Sequence, residues 1–224
     1  MKKLNTAILM ASLLLVSIWT FGQTKWVGFT SENPETPQIN VLEQNESFVI
    51  LDVYVPGVFV NEIEAEGKKF QQVEIFAWQT TQEIGKPALP LLHEIIGVPS
   101  ERKVKVKILE TETIELENYH IFPFQTPSKD IKGGQPEGFD YHEVFYSKNV
   151  NYPENNALMS KPGIWRDVKI SGMHLIPFSY NPSTKKLIAF KHVKLKIEFF
   201  GIDTETNVFR NKTVSPVFYK MYAS

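Results

Sequence analysis

Two stretches of this chain repeat with a period of two and fit only as strands. Between Lys103 and Leu116, Val104, Val106 and Ile108 fall on one side of the pleat and Lys103, Lys105 and Lys107 on the other. Between Lys186 and Phe200, Val193, Leu195, Ile197 and Phe199 alternate with His192, Lys194, Lys196 and Glu198. Successive side chains of a strand point to opposite faces, so each pattern demands a sheet with one buried and one wet face. Beyond the N-terminus no comparable 3.6-residue apolar stripe occurs, although Val214 to Tyr222 could wind into a short terminal helix.

The remaining strand signals are shorter. Phe48 to Val55 is β-branched and closes on Pro56-Gly57, Val58 to Ile63 follows, and Lys68 to Trp78 runs on until Gly85 and Pro87. Leu91 to Val98 lies between Pro90 and Pro99. Ile164 to Phe178 and Lys186 to Phe200 read as one hairpin, joined through Tyr180-Asn181-Pro182-Ser183-Thr184. Many short strands punctuated by 14 prolines and 12 glycines give a mainly β fold. An antiparallel β-sandwich or jelly-roll-like domain is favoured over a closed barrel, which periodicity alone does not exclude.

Length and composition set the outer bounds. At 224 residues, 42% of them apolar, the chain can bury a core without metal or disulfide staples. Its net charge of -1 builds no broad positive field, which excludes nucleic acid as the expected partner. It has no cysteine, hence no thiolate nucleophile, no cysteine metal site and no disulfide.

Lys2 and Lys3 precede an uncharged stretch from Leu4 to Thr24 with an apolar centre, the outline of a secretory signal. Thr20 and Gly22 suit a signal peptidase, so cleavage is expected after Gly22, leaving no stable membrane insertion. The expected organisation is a signal peptide over 1–22, a loose arm over 23–46 with one short strand near Ile39 to Leu42, and a β domain over 47–224.

The search for catalytic chemistry returns little. His93, His120, His142, His174 and His192 are scattered with no ligand pair at metal spacing. His142 with Glu143 and Asp140 reads as a polar loop cluster, and Asp52, Glu62, Glu64 and Glu66 as solvated faces. No nucleophile elbow, Walker loop or dinucleotide fingerprint is present, and Gly133-Gly134 lacks the strand and helix of a phosphate cradle. Trp78 and Trp165 are expected in the core rather than on a sugar-stacking platform. The long irregular piece from Gln125 to Tyr141 stands out, because loops of that length inside compact domains often carry function. Its Lys129 and Lys132 are the suggestive residues: a basic side chain on a glycine-flanked loop can enter an acidic pocket.

Gly85-Lys86-Pro87-Ala88-Leu89-Pro90, then Ile96-Gly97-Val98-Pro99 and the Val104, Val106, Ile108 strand, resemble the N-terminal prodomain of the gingipain family of secreted bacterial cysteine peptidases. Tyr152-Pro153, Arg166-Asp167-Val168, Pro177 to Pro182, the strand through Val193 to Phe199 and the closing Val217 to Ala223 follow the same prodomain in order. The likeness covers about Ser47 to Ser224. It implies a mainly β prodomain that keeps a partner peptidase latent and assists its folding. In arginine-specific relatives a basic loop residue enters the substrate pocket, and rough alignment brings that position to Lys132, with Lys129 second. The family's catalytic histidine and cysteine belong to a following domain outside these residues, so peptidase activity does not carry over.

The expected function is therefore a secreted, non-enzymatic prodomain that occupies the cleft of a gingipain-like cysteine peptidase, in cis or in trans, with a basic loop. No cofactor is expected. The alternative is an exported β-sandwich binding or adhesion module without a peptidase partner. Either would act in the periplasm, at the cell surface or outside the cell.

Overall fold

The computed structural model of the protein describes residues 24–127, 138–166 and 168–205. In chain order the first strands are β1 (Lys25–Gly28), β2 (Gln38–Gln44), β3 (Phe48–Tyr54), β4 (Gly57–Ala65), β5 (Lys68–Glu74), β6 (Gln79–Thr80), β7 (Pro90–Gly97) and β8 (Lys103–Leu116). A single-turn helix, α1 (Glu143–Tyr146), precedes β9 (Ala157–Met159), β10 (Gly163–Trp165), β11 (Val168–Leu175), β12 (Phe178–Asn181) and β13 (Lys186–Phe200). The strands pair antiparallel in three sheets, ordered β1-β4-β5, β10-β11-β7-β6 with β9 beside β11, and β12-β13-β3-β2 with β8 beside β13. The mainly β, antiparallel expectation is met. Val214 to Tyr222, Gly133 and Gly134 lie outside the described residues.

β13 is the spine of the largest sheet. Its Val193, Leu195 and Ile197 are fully buried, as their alternation demands. Each such side chain contributes roughly 1.5–3 kcal/mol over its exposed state. β8 pairs with β13 from Leu187↔Leu116 to Phe200↔Lys103 through two register shifts. Lys191 has no partner on β8, and Leu109 has none on β13, so a bulge on one strand cancels a bulge on the other. The Lys191 carbonyl is used elsewhere, accepting from Val55 N at 2.9 Å.

The stretch from Ile164 to Phe178 departs from the expected single arm. β11 joins β7 in the second sheet, and only β12 forms the hairpin with β13. The break falls at Pro177, which has no N–H to give to a ladder. Asn156 Nδ2 donates to the carbonyls on both sides of that proline, Ile176 O at 2.8 Å and Phe178 O at 2.7 Å, and so fixes the switch between sheets. The hairpin turn is as the sequence predicts: Asn181 Oδ1 accepts from Ser183 N at 3.1 Å and Thr184 N at 3.3 Å.

Three further expectations are corrected. The stretch 25–44 carries two paired strands, with β1 adding to β4 as well as β2 to β3. Trp165 is half exposed, because β10 is an edge strand that covers only the margin of β11, whereas Trp78 packs on the core. Asp52 is buried rather than on a solvated face, while Glu62, Glu64 and Glu66 are exposed. β3 lies between β2 and β13, and Asp52 takes a hydrogen bond from His192 Nε2 at 2.5 Å. Burial pushes its carboxyl up, but hydrogen bonds from His192 and Tyr54 and the charges of His192 and Lys194 outweigh that, holding it below the usual carboxylate range.

A second charge sits deeper. Lys169 faces inward on β11, donates to Arg102 O at 2.7 Å and forms an ion pair with Asp203. Asp203 N donates to Glu101 O at 2.9 Å. The start of β8, the stretch after β13 and the start of β11 are thereby stapled together. Among the described residues no helix is long and apolar enough to cross a membrane.

Candidate functional site

The irregular stretch picked out by the sequence begins and ends on a hydrogen-bonded clamp. Gln125 Nε2 donates to Asp140 O at 3.0 Å, and Asp140 N returns a bond to Gln125 Oε1 at 3.0 Å. Thr126 N donates to Asp140 Oδ2 at 2.8 Å. That backbone N–H, followed by the Thr126 side chain, holds the Asp140 carboxyl below its ordinary value. The two ends of the loop are thus held side by side. Lys129 and Lys132, the residues proposed to reach a pocket, lie outside the described residues.

The clamp stands on an aromatic floor. Phe70 is fully buried and packs against His120, Phe122, Phe139 and Tyr141, with ring centroids 4.3 to 5.9 Å away. Tyr141 stacks on Tyr146 at 4.5 Å, and Tyr146 OH donates to Ile121 O at 2.7 Å. Burial pushes the Tyr146 phenol far above its usual range, so it remains a neutral donor. His120 Nδ1 lies 3.1 Å from Lys69 O, an atom that only accepts, so Nδ1 carries the proton. Nε2 is then free to accept from Tyr141 OH at 3.3 Å. Burial, with Lys185 nearby, pushes the His120 imidazole down, in keeping with that neutral tautomer.

On the far side of the loop base, His142 Nδ1 caps α1 by accepting from Phe145 N at 3.2 Å. His142, Glu143 and Asp140, expected as one polar cluster, therefore do separate work: a cap, a contact with Lys68 at 4.0 Å, and the clamp. Among the described residues no group of three or more His, Cys, Asp or Glu side chains gathers at metal-binding distance.

The Gly85 to Pro90 segment supports this base. Gly85 has φ +74° and lies so close to His142 that a Cβ would sit 3.1 Å from His142 N. His142 N donates to Gly85 O at 3.0 Å, and Gly85 N donates to Phe124 O at 2.8 Å. Leu89 is fully buried, and Thr81 Oγ1 donates to Pro87 O at 2.8 Å. Lys86 bridges to Glu83 at 2.5 Å, and Glu83 accepts from Tyr152 OH at 3.0 Å. Burial raises the Glu83 carboxyl, yet those hydrogen bonds prevail and hold it below its usual value. The Gln125–Asp140 clamp was not read from the sequence, since two side chains 15 positions apart carry no local signal.

The family model Propeptide_C25 matches residues 30–220. Gingipain R1 of Porphyromonas gingivalis is 25% identical over 201 residues, covering 88% of this chain and 19% of that protein. Lys-gingipain HG66 of the same organism is 25% identical over 222 residues, covering 94% of this chain and 13% of its own length. The chain thus spans less than a quarter of the length of these curated relatives. Among solved structures, a chain from the complex of Porphyromonas gingivalis RgpB pro- and mature domains superposes with a TM-score of 0.73 at 21% identity, covering 84% of this chain and 96% of that one. A chain from a study of zymogenic latency in gingipain K of the same organism gives a TM-score of 0.68 at 19% identity, covering 80% of this chain and 100% of that one. The fold is that of these neighbours, and the family match extends over most of the sequence: the chain belongs to the Propeptide_C25 family.

Proposed function

We propose that this chain is the latency-conferring propeptide of a gingipain-like cysteine peptidase, joined to it in cis or acting in trans. The family match over residues 30–220 is the observation that carries this reading. A solved neighbour containing pro- and mature domains together supports a peptidase as the partner. Having no cysteine, the chain cannot itself supply the thiolate of such an enzyme.

The finer proposal concerns the loop. Lys132, with Lys129 as second choice, enters the substrate cleft and pairs there with an acidic specificity pocket. The clamp of Gln125, Thr126 and Asp140 supports this, because a loop held at its base loses less conformational freedom when it docks. A broad surface supplies affinity, the loop supplies selectivity, and the same contact assists folding of the partner. Residues 1–22 act as the export signal, with the chain working in the periplasm, at the cell surface or outside the cell. The propeptide body takes in β1 and β2, which pair into its sheets, together with the residues from 47 onward.

Titration of gingipain-type peptidases of lysine and arginine specificity with the purified chain tests both levels. Stoichiometric inhibition is expected, weakened at least about tenfold by Lys132→Ala through loss of a charge-paired contact. No inhibition by the parent chain removes the propeptide reading. Full inhibition by Lys132→Ala and by Lys129→Ala removes only the loop assignment.

A further inference from the structure

Two histidines 81 positions apart meet on the outer face of the second sheet. His93 of β7 and His174 of β11 are direct cross-strand partners, and their ring centroids are 4.7 Å apart. Gly172 O accepts from Ser160 N and Ile176 N donates to Asn156 O, both at 2.8 Å and both on the β9 side of β11. His174, between them in the pleat, turns its backbone the same way and gives β7 no ladder bond. The two histidines thus form a non-hydrogen-bonded pair, the type in which opposed side chains come closest.

Gly172 completes the arrangement. It is two residues from His174 on the same face, and a Cβ there would lie 2.6 Å from His93 Nε2, 3.1 Å from Ser160 Oγ and 3.3 Å from His174 Nε2. Three polar atoms therefore converge over one bare backbone position, with Ser160 Oγ 2.8 Å from His174 Nε2. Any larger residue at 172 would displace the His93 ring.

We infer that His93 Nε2 and His174 Nε2, with Ser160 Oγ beside them, form a binding site for a late first-row divalent cation of the Zn²⁺, Ni²⁺ or Cu²⁺ class. Imidazole nitrogen suits these ions, whereas Ca²⁺ and Mg²⁺ require oxygen shells that this pair does not offer. Binding needs both rings neutral, and burial together with the neighbouring His93 holds the His174 imidazole below its ordinary value. Two protein nitrogens leave coordination positions for water or for a donor from a bound partner. The ion would bridge β7 to β11 and stabilise the folded state by mass action.

The purified full chain is titrated with NiCl₂ by calorimetry at pH 7.5, and its Cu²⁺ complex is examined by electron paramagnetic resonance. One saturable site with two nitrogen donors is expected, fading as the pH drops below about 6. His93→Asn and His174→Asn each lower the affinity at least about tenfold, while His142→Asn leaves it unchanged. Circular dichroism of the asparagine variants separates loss of the site from loss of the fold. Absence of saturable binding, or binding indifferent to both replacements in folded protein, overturns the assignment.

Discussion

Lys169–Asp203 and His192–Asp52 both pair a cation with a carboxylate inside a sheet, yet they differ in what surrounds them. The Lys169 and Asp203 side chains are 0% and 7% exposed, and the lysine also serves a backbone carbonyl at the start of β8. His192 and Asp52 are 14% and 9% exposed, and the imidazole leans outward, stacking on Tyr54 at 4.4 Å with Glu112 3.6 Å from Nδ1. In the sealed pair almost no water reaches either charge, and backbone groups share in holding them: Lys169 donates to Arg102 O, and Asp203 Oδ1 accepts from Glu205 N at 3.0 Å. In the opener pair, water and a third charge share the load. Removing one member should therefore cost more at the first site than at the second.

The largest effect is expected from Lys169→Ala, which removes a fully buried ammonium from beside the buried Asp203 carboxylate and from Arg102 O. A loss of about 3–5 kcal/mol in chemical denaturation is expected. Replacing both partners, Lys169→Met with Asp203→Leu, should recover most of that, because two apolar groups leave no buried charge. A double variant as unstable as the single one would show that the staple to Glu101 and Arg102, rather than the charge, dominates.

Next comes Asp52→Ala, expected to lose about 1.5–3 kcal/mol, the range of a charge-assisted hydrogen bond. If it matches Lys169→Ala, the contrast between the two sites fails. The acid limb of the stability curve sharpens the same contrast. Asp52 is held below its unfolded value, so its contribution is present above about pH 4 and lost as the pH falls through the lower folded value. His120 and His174 are also held down, so an unfolded chain takes up their protons first and stability begins to fall near pH 6.5. Two steps are thus expected, the upper removed by substituting His120 and His174 with asparagine and the lower by Asp52→Ala. The smallest change belongs to the exposed Lys68–Glu143 contact at 4.0 Å, where Glu143→Gln should shift stability by no more than about 0.5 kcal/mol.

Much of the largest sheet was legible because β8 and β13 each have a dry and a wet face, which alternation reports directly. The same rule failed between Ile164 and Phe178. There the apolar pattern continues across Pro177, while the chain changes sheets through bonds from Asn156, 20 positions upstream of Ile176. Lys169 was invisible for a related reason: its inward direction is set by the pleat, but its partner Asp203 lies 34 positions away. Trp165 misled because aromatic character reports cost of exposure, not position on an edge strand. At the candidate site the irregular length of Gln125 to Tyr141 drew notice, whereas the clamp beneath it is a tertiary pairing of side chains. Family likeness rested on Gly85 to Pro90, whose role in the fold is to hold that base.

The central claim, that the loop fills the cleft of a peptidase, is tested most directly by competition. A gingipain-type peptidase is inactivated with a small covalent inhibitor carrying a basic side chain, and the affinity of the chain for free and blocked enzyme is compared by calorimetry. Affinity at least about a hundredfold weaker for the blocked enzyme is predicted, because the inhibitor's basic side chain takes the pocket proposed for Lys132. Equal affinity for both forms would contradict the account.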